Sequence, residues 1–298
     1  MRMLVIDGNS IVNRAFYGIR PLTTKDGQFT NAIYGFLTML TKIKNEENPD
    51  AVAIAFDLKA PTFRHKAYAG YKATRKGMPE ELASQIKPLK ELLQLLGYTL
   101  VTCEGYEADD ILGTFAKACE KNGNECVIAT GDRDSLQLVS DTTTVHLCTN
   151  KQDISYTPAK IFEDYGVTPK QLIEIKAIQG DSSDNIPGVA GIGPKGASDL
   201  ISRFGSVDYI YSHIDEIDVK DGIRNKLKNS EENAKLMAKL ELFSLIDKLG
   251  LKEMPTAEEK PAAVQNFEVV ENADANVLYE NIKKQGKVYF CLLYTSPS

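Results

Sequence analysis

The segment GYEADDIL (residues 105–112) crowds Glu107, Asp109 and Asp110 into four positions ahead of an apolar run. Acids in a first helical turn complement the helix dipole, each by roughly 0.3–1 kcal/mol, so capping alone accounts for such a cluster. A cap needs no company, whereas a metal site does. The chain supplies company: Asp7 closes the run MLVID, Asp57 closes AVAIAFD, and Asp132 and Asp134 follow CVIATG. A further pair, Asp181 and Asp184, stands in GDSSDNIPG. Two carboxylates about 4 Å apart repel by roughly 4 kcal/mol at an effective dielectric of about 20. A folded domain has a net stability of only about 5–15 kcal/mol. Several gathered acids therefore stay ionised only with cations among them. Oxygen donors without His or Cys select Mg²⁺ or Mn²⁺. Two such ions roughly 3.5–4 Å apart suit in-line displacement at phosphorus, and hence hydrolysis of a phosphate ester.

These acids meet only if the elements between them deliver them to one edge. Short apolar runs beginning at 3, 50, 99 and 125 alternate with segments of helical period, among them EELASQIKPLKELLQLLGY and EADDILGTFAKACEKNG. That alternation predicts an α/β fold, a mostly parallel twisted sheet flanked by helices. Near-continuous hydrophobic strands agree, because both faces of such a sheet are covered. Ligands bind outside the carboxyl ends of its strands, which is where Asp7, Asp57, Glu107, Asp109, Asp132 and Asp134 fall. From about residue 155 the pattern changes to helical segments punctuated by Gly and Pro. The expected organisation is an α/β domain over 1–175 with a basic arch at 59–80, then a small helical domain over 176–250. A linker at 251–265 and the truncated start of a following domain at 266–298 complete it.

Two other stretches carry chemistry. KAPTFRHKAYAGYKATRKGM (59–78) holds Lys59, Arg64, Lys66, Lys72, Arg75 and Lys76 with no acid, and Tyr68 and Tyr71 lie between them. It is either a solvated loop or an arch that grips phosphate beside Asp57, with tyrosines to stack on bases. GVAGIGPKGASDL (188–200) spells G-x-G-x-x-G at Gly191, Gly193 and Gly196. A dinucleotide fold needs a strand before it, and QLIEIKAIQGD reads as helix. Helix, glycine hairpin, helix instead turns backbone N–H groups toward a phosphate, with Lys195 nearby. Such contacts position a duplex without reading its sequence.

The bulk numbers narrow the field. The 298 residues carry a net charge of −6, which argues against a generic nucleic-acid binder unless the acids hold cations. Five cysteines form no C-x-x-C pair, so no zinc ribbon or thioredoxin motif is indicated. Scattered thiols point to a reducing compartment, the cytoplasm by default. The opening MRMLVIDGNS is too briefly apolar for a signal peptide or a membrane span. Only three histidines are present, which argues against a His-ligated metal or a His-based triad. A phosphatase with an Asp-x-Asp nucleophile is one alternative, yet the first strand ends Asp7-Gly8-Asn9 and lacks the second acid. A DNA-binding module with an inactive nuclease site and an RNA-processing nuclease are others. A monomer is the default.

The motifs VIDGNSIVNRAFYG, FDLKAPTFRHKAYAGYKATRKGMPEEL, EGYEADDILGT, TGDRDSLQLV and GDSSDNIPGVAGIGPKGA occur in that order over most of residues 1–250. In this they resemble the 5′-nuclease family, specifically the 5′→3′ exonuclease domains at the N-terminus of bacterial DNA polymerases. The resemblance implies a structure-selective nuclease that uses two Mg²⁺ or Mn²⁺ ions on DNA with 5′ flaps, nicks or RNA primers. Asp7, Asp57, Glu107 and Asp109 resemble its first metal group, and Asp132, Asp134 and Asp184 its second, with Asp110 and Asp181 just outside them. Arg14 resembles the residue that holds the reacting strand, and Lys72 and Arg75 the basic pair at the foot of the arch. Tyr71 is implied to stack on a base and Arg64 to support a phosphate. The glycine hairpin resembles the family's helix–three-turn–helix element, which grips duplex DNA, often with a monovalent cation.

Overall fold

The computed structural model describes residues 1–149 and 152–240. The linker and truncated domain expected at 251–265 and 266–298 lie outside the described residues. Six strands, β1 (Arg2–Asp7), β2 (Ala51–Ala55), β3 (Thr99–Val101), β4 (Glu125–Thr130), β5 (Thr143–Leu147) and β6 (Ile154–Tyr156), form one sheet in the order β3-β2-β1-β4-β5-β6. All neighbours pair parallel except β5 and β6, which form an antiparallel edge. Helices α1 (Gly8–Gly18), α2 (Asn31–Glu47), α3 (Phe63–Ala67), α4 (Glu80–Leu95) and α5 (Ala108–Lys121) fill the crossovers of the first strands. After the sheet come α6 (Pro158–Tyr165), α7 (Gln171–Gln179), α8 (Pro194–Phe204), α9 (Val207–Ser212), α10 (Asp221–Lys228) and α11 (Glu231–Leu240).

Alternation along the strands decides which layer each side chain joins. Val5, Ala53 and Ile128 point into a core closed by Ile111, Leu112 and Ala116 of α5. Leu4, Ile6, Ile54 and Val127 point the other way, against Val12, Phe36, Leu40 and Leu89 of α1, α2 and α4. Covering on both faces explains why β1 and β4 are almost wholly apolar in sequence. Register then does the work of alignment. Asp7 pairs with Ala55, and Ile6 with both Ile54 and Ala129, so the carboxyl ends of β1, β2 and β4 lie level.

A separate core holds the helical part: Val167, Ile175 and Ile178 pack with Ile192, Leu200, Ile201, Ile210 and Leu227. The boundary expected at 175/176 would cut α7 in two, and the packing instead begins at Val167. Helical period locates α7 but does not say which core its apolar face joins. At the far end of α7 the chain folds back so tightly that Gly180 and Gly188 touch through their backbones. A Cβ built on Gly188 would stand 2.2 Å from the Gly180 nitrogen. Gly188→Ala is therefore expected to lower unfolding free energy by about 1–3 kcal/mol, the usual cost of overpacking, read from urea denaturation.

Candidate metal centre

The acids are delivered to the rim by local rules that each have a cause. Asp7 is both the last residue of β1 and the N-cap of α1, with its Oδ1 accepting from Ser10 N at 2.9 Å. Its Oδ2 accepts from Thr130 Oγ1, at the end of β4, at 2.8 Å. Asp57, beyond β2, accepts from Ala108 N at 2.6 Å and so receives the first turn of α5. Asp132 caps a 3₁₀ turn (Arg133–Leu138) by accepting from Asp134 N at 2.9 Å. Glu107 and Asp110 form a capping box at the start of α5, which places Asp109 between them. Capping is thus real here, and it coexists with convergence.

The carboxylates divide into two sets by their partners. Glu107 is met by Lys72 Nζ at 2.9 Å and by Tyr71 OH, which donates at 2.9 Å. Asp110 is gripped by both Arg64 nitrogens, at 2.8 and 2.6 Å. Lys176 Nζ stands 2.7 Å from Asp134 Oδ1 and 2.7 Å from Asp181 Oδ2, and Arg75 pairs with Asp184. The site's ion pairs end on these five acids. Among the described residues none ends on Asp7, Asp57, Asp109 or Asp132.

Electrostatics follow that division. Burial pushes the Asp7 carboxyl up to about 6, and Asp57 and Asp132 add to it against the hydrogen bonds of Ser10 and Thr130. Burial also raises Asp109 well above the usual carboxylate range, with Asp7 and Asp132 the next causes. Asp134 is raised to about 6 by burial and then by Asp132, against the pull of Lys176. Burial raises Glu107 as well, but Lys72 and then Arg64 outweigh it and hold its carboxyl low. At Asp181 burial loses to Lys176 and Ser183, which bring the carboxyl down to about 2. Unneutralised oxygen donors that repel one another fit hard divalent cations, and Asp7, Asp57, Asp109 and Asp132 are such donors; Glu107, Asp134 and Asp184 beside them would exchange a chain cation for an ion.

Two residues of the expected arch stand elsewhere than expected. Arg64 is only 4% exposed and both its terminal nitrogens donate to Asp110, so it braces the acids at the wall of a cleft. Tyr71 is 5% exposed and lines the same cleft with its hydroxyl donating to Glu107, so it holds that acid in place. The arch itself is ordered: α3 lies within it, and it is tied to neighbours by Lys72 N donating to Asp184 O and Asn185 Nδ2 donating to Gly70 O. Asp110 points to Arg64, not to the unpaired acids. Asp181 likewise serves as a turn anchor, accepting from Ser183 N and Oγ at 2.8 and 2.6 Å. Lys72 and Arg75 do lie at the rim, their side chains 19% and 49% exposed. Arg14 on α1 lies against Gly131; a Cβ there would stand 2.8 Å from Arg14 Nε, so glycine makes the approach possible.

Lys176 was not singled out from sequence. The signal was present: it is the one basic residue of QLIEIKAIQ, a helix that runs into the acidic turn at 181–184. From this rim a cleft of about 570 Å³ runs past Asp109, Asp134 and Lys176 to Lys195 at the start of α8. Gly193 caps that helix, and Gly191, at φ 77°, and Gly196 complete the hairpin. The Gly191 carbonyl accepts from Lys226 Nζ at 3.0 Å, so a cation of the chain itself reaches the hairpin.

Comparison with known proteins agrees with the fold. Residues 2–166 match the 5′-3′ exonuclease N-terminal resolvase-like domain, and residues 167–257 match the 5′-3′ exonuclease C-terminal SAM fold. The chain is 42% identical over 239 residues to the thermostable DNA polymerase I of Thermus thermophilus, covering 80% of this chain and 28% of that one. It is 42% identical over 241 residues to DNA polymerase I of Bacillus subtilis strain 168, covering 80% and 27%. The chain thus spans little more than a quarter of the curated relatives it matches. The T5 D15 protein co-crystallised with metal ions shares the fold, with a TM-score of 0.67, 23% identity, and coverage of 84% of this chain and 94% of that one. The catalytic core of Rad2 in complex with DNA substrate does so at 0.51, with 20% identity and coverage of 77% and 73%. The chain is a nuclease domain, an enzyme of the hydrolase class. It belongs to the 5′-3′ exonuclease family.

The raised carboxyls fix a sign for stability. An acid whose folded value lies above its unfolded value near 3.9 binds more protons when folded, so stability falls as pH rises through that interval. For Asp7 the interval runs from about 4 to about 6. In chelator, the melting temperature is expected to fall between pH 4.5 and 6.5. Mg²⁺ at a hundredfold excess over its Kd should restore about 2.7 kcal/mol at the upper pH and much less at the lower. Scanning calorimetry with and without the ion reads both.

Proposed function

We propose that the chain is a structure-selective 5′→3′ exonuclease and 5′-flap endonuclease, acting on DNA with flaps, nicks or RNA primers in replication and repair. In this reading it is the N-terminal part of a DNA polymerase I, and it works in the cytoplasm as a monomer. The observation that carries the reading is the convergence of Asp7, Asp57, Asp109 and Asp132 at the level strand ends, unpaired with any described base. Asp7, Asp57, Glu107 and Asp109 would hold one Mg²⁺ or Mn²⁺, and Asp132, Asp134 and Asp184 a second, the ions replacing Lys72, Lys176 and Arg75 on Glu107, Asp134 and Asp184. When bound, such a pair stabilises the attacking and leaving oxygens of a phosphoryl displacement.

The remaining steps fall to the chain's own side chains. Lys72 and Arg75 stand where the rim opens to solvent and would counter charge developing on the scissile phosphate. Arg14, on the other side of β1, would orient the reacting strand. The hairpin around Gly191, Gly193 and Gly196, with Lys195, would seat a duplex phosphate on the N-terminus of α8, with a monovalent cation among its carbonyls. Asp110, Arg64, Tyr71 and Asp181 would act by position, each holding a rim residue or its loop in place.

Asp109→Ala and Asp132→Ala are expected to cut Mg²⁺-dependent cleavage of a 5′-labelled flap duplex by orders of magnitude. Duplex affinity in chelator should change by less than threefold, because the hairpin carries it. Product length read on a denaturing gel, beside a filter-binding isotherm, makes the check. Wild-type cleavage undiminished by chelator, or full activity in either variant, would sink the reading.

A further inference from the structure

Scarcity of histidine argues against a His-ligated metal, yet one well-placed imidazole is enough. His146 and Cys148 lie two residues apart at the carboxyl end of β5 and so face one side of the sheet. The antiparallel pairing of Leu147 with Ile154, carried one step further, sets Asp153 opposite Cys148. One nitrogen, one sulfur and one carboxylate oxygen from these three residues all lie within 4.8 Å of one another. Among the described residues this is the one group of three such donors so closely drawn; the nuclease acids stand wider apart.

The imidazole is oriented. His146 is 4% exposed, and its Nδ1 stands 2.9 Å from Glu47 Oε1 at the end of α2. A carboxylate opposite Nδ1 suits the tautomer with the ring proton there, in which Nε2 offers its lone pair. Nε2 is buried and has no hydrogen-bond partner among the described residues. It faces Asp153 Oδ2 at 3.8 Å and Glu46 Oε2 at 3.9 Å, both beyond hydrogen-bonding reach. A buried acceptor of this kind is expected to have a partner. Glu47 is itself fixed by Arg2 Nη2 at 2.5 Å. Carboxylate, imidazole, metal is the usual order in which such a ligand is aimed.

We propose that His146 Nε2, Cys148 Sγ and the Asp153 carboxylate form a second metal site, of mixed donors, for Zn²⁺. Three ligands of this kind suit zinc and leave a fourth position, which Glu46 or a water completes. Zinc displaces the Cys148 thiol proton to solvent as the Zn–S bond forms, and does so against burial, which pushes the thiol up to about 12. Lys42 Nζ, 2.6 Å from Asp153 Oδ2 on a half-exposed side chain, is the competing cation. The ion would clamp the end of α2, β5 and the turn into β6. Cys148 N also donates to Thr130 O at 2.8 Å, one strand from Asp7.

Co²⁺ is the probe, added to chelator-treated full chain in excess Mg²⁺. Thiolate ligation gives a sulfur-to-cobalt charge-transfer band in the near ultraviolet, and the nuclease rim has no cysteine to produce one. The expected result is a band at one equivalent, bleached by Zn²⁺ and kept in Cys119→Ser. Cys148→Ser abolishes it, His146→Asn and Asp153→Asn weaken Co²⁺ at least tenfold, and Glu47→Gln weakens it roughly 10–100-fold. Lys42→Met tightens it. No band, a band that survives Cys148→Ser, or affinity untouched by both His146→Asn and Asp153→Asn overturns the site. Should Cys148→Ser fail to fold, the opposite shifts of Lys42→Met and Asp153→Asn decide. Flap cleavage plays no part in these readouts, so the site stands or falls apart from the nuclease reading.

Discussion

Mutual repulsion among carboxylates at one rim is the constraint around which the rest is arranged. Each like-charged pair at contact distance costs on the order of the stability margin of a small domain. The fold answers in two ways. Outer acids receive cations of the chain: Arg64 for Asp110, Lys72 for Glu107, Arg75 for Asp184, and Lys176 for Asp134 and Asp181. Inner acids receive only neutral donors, Ser10 N and Thr130 Oγ1 for Asp7, Ala108 N for Asp57 and Asp134 N for Asp132. A neutral donor fixes direction without cancelling charge. The inner set therefore keeps its negative potential and its geometry together, which is what a hard-cation site needs.

That arrangement also explains why a net charge of −6 coexists with nucleic-acid chemistry. Net charge governs long-range steering, whereas a phosphate diester meets the field of the cleft it enters. Along the cleft from Asp109 to Lys195, acids and bases alternate within a few residues of one another. A phosphate beside Lys72 or Lys195 is attracted, and one beside Asp109 is tolerated only with cations between. In the proposed reading, divalent ions and substrate would in this way be mutually dependent ligands.

Much of the architecture was legible before any coordinates. The near-continuous apolar runs of β1, β2 and β4 and the acids at their ends fixed both the sheet and the rim, since register brings parallel strand ends level. What sequence could not supply was pairing across distance. Arg64 sits in a run of bases that looks solvated, and nothing local says that Asp110, 46 positions on, will take both its nitrogens. Tyr71 in the same run appears as a base-stacking ring, and only the return of α5 turns it toward Glu107. Lys176 was overlooked because a single lysine in an amphipathic helix is ordinarily a solvated one. A boundary near 175/176 meets a related difficulty: helical period identifies α7 but not the neighbour its face will bury.

Helix α7 carries the last step of the argument. Lys176 bridges Asp134, beyond β4, to Asp181, and four residues after Lys176 the chain enters the Gly180–Gly188 crossing that opens into the glycine hairpin. One short helix thus joins the acidic rim to the element proposed to seat a duplex. Helices of this length bend little, and the backbone contact at Gly188 allows no side chain to wedge the hairpin away. The separation between grip and rim is then a fixed length. In the proposed reading, the junction of single and double strand is located by that length and not by base sequence, because phosphate contacts at a helix N-terminus carry no sequence information. In that reading, selectivity for structure would follow from the spacing between two sites that each recognise phosphate.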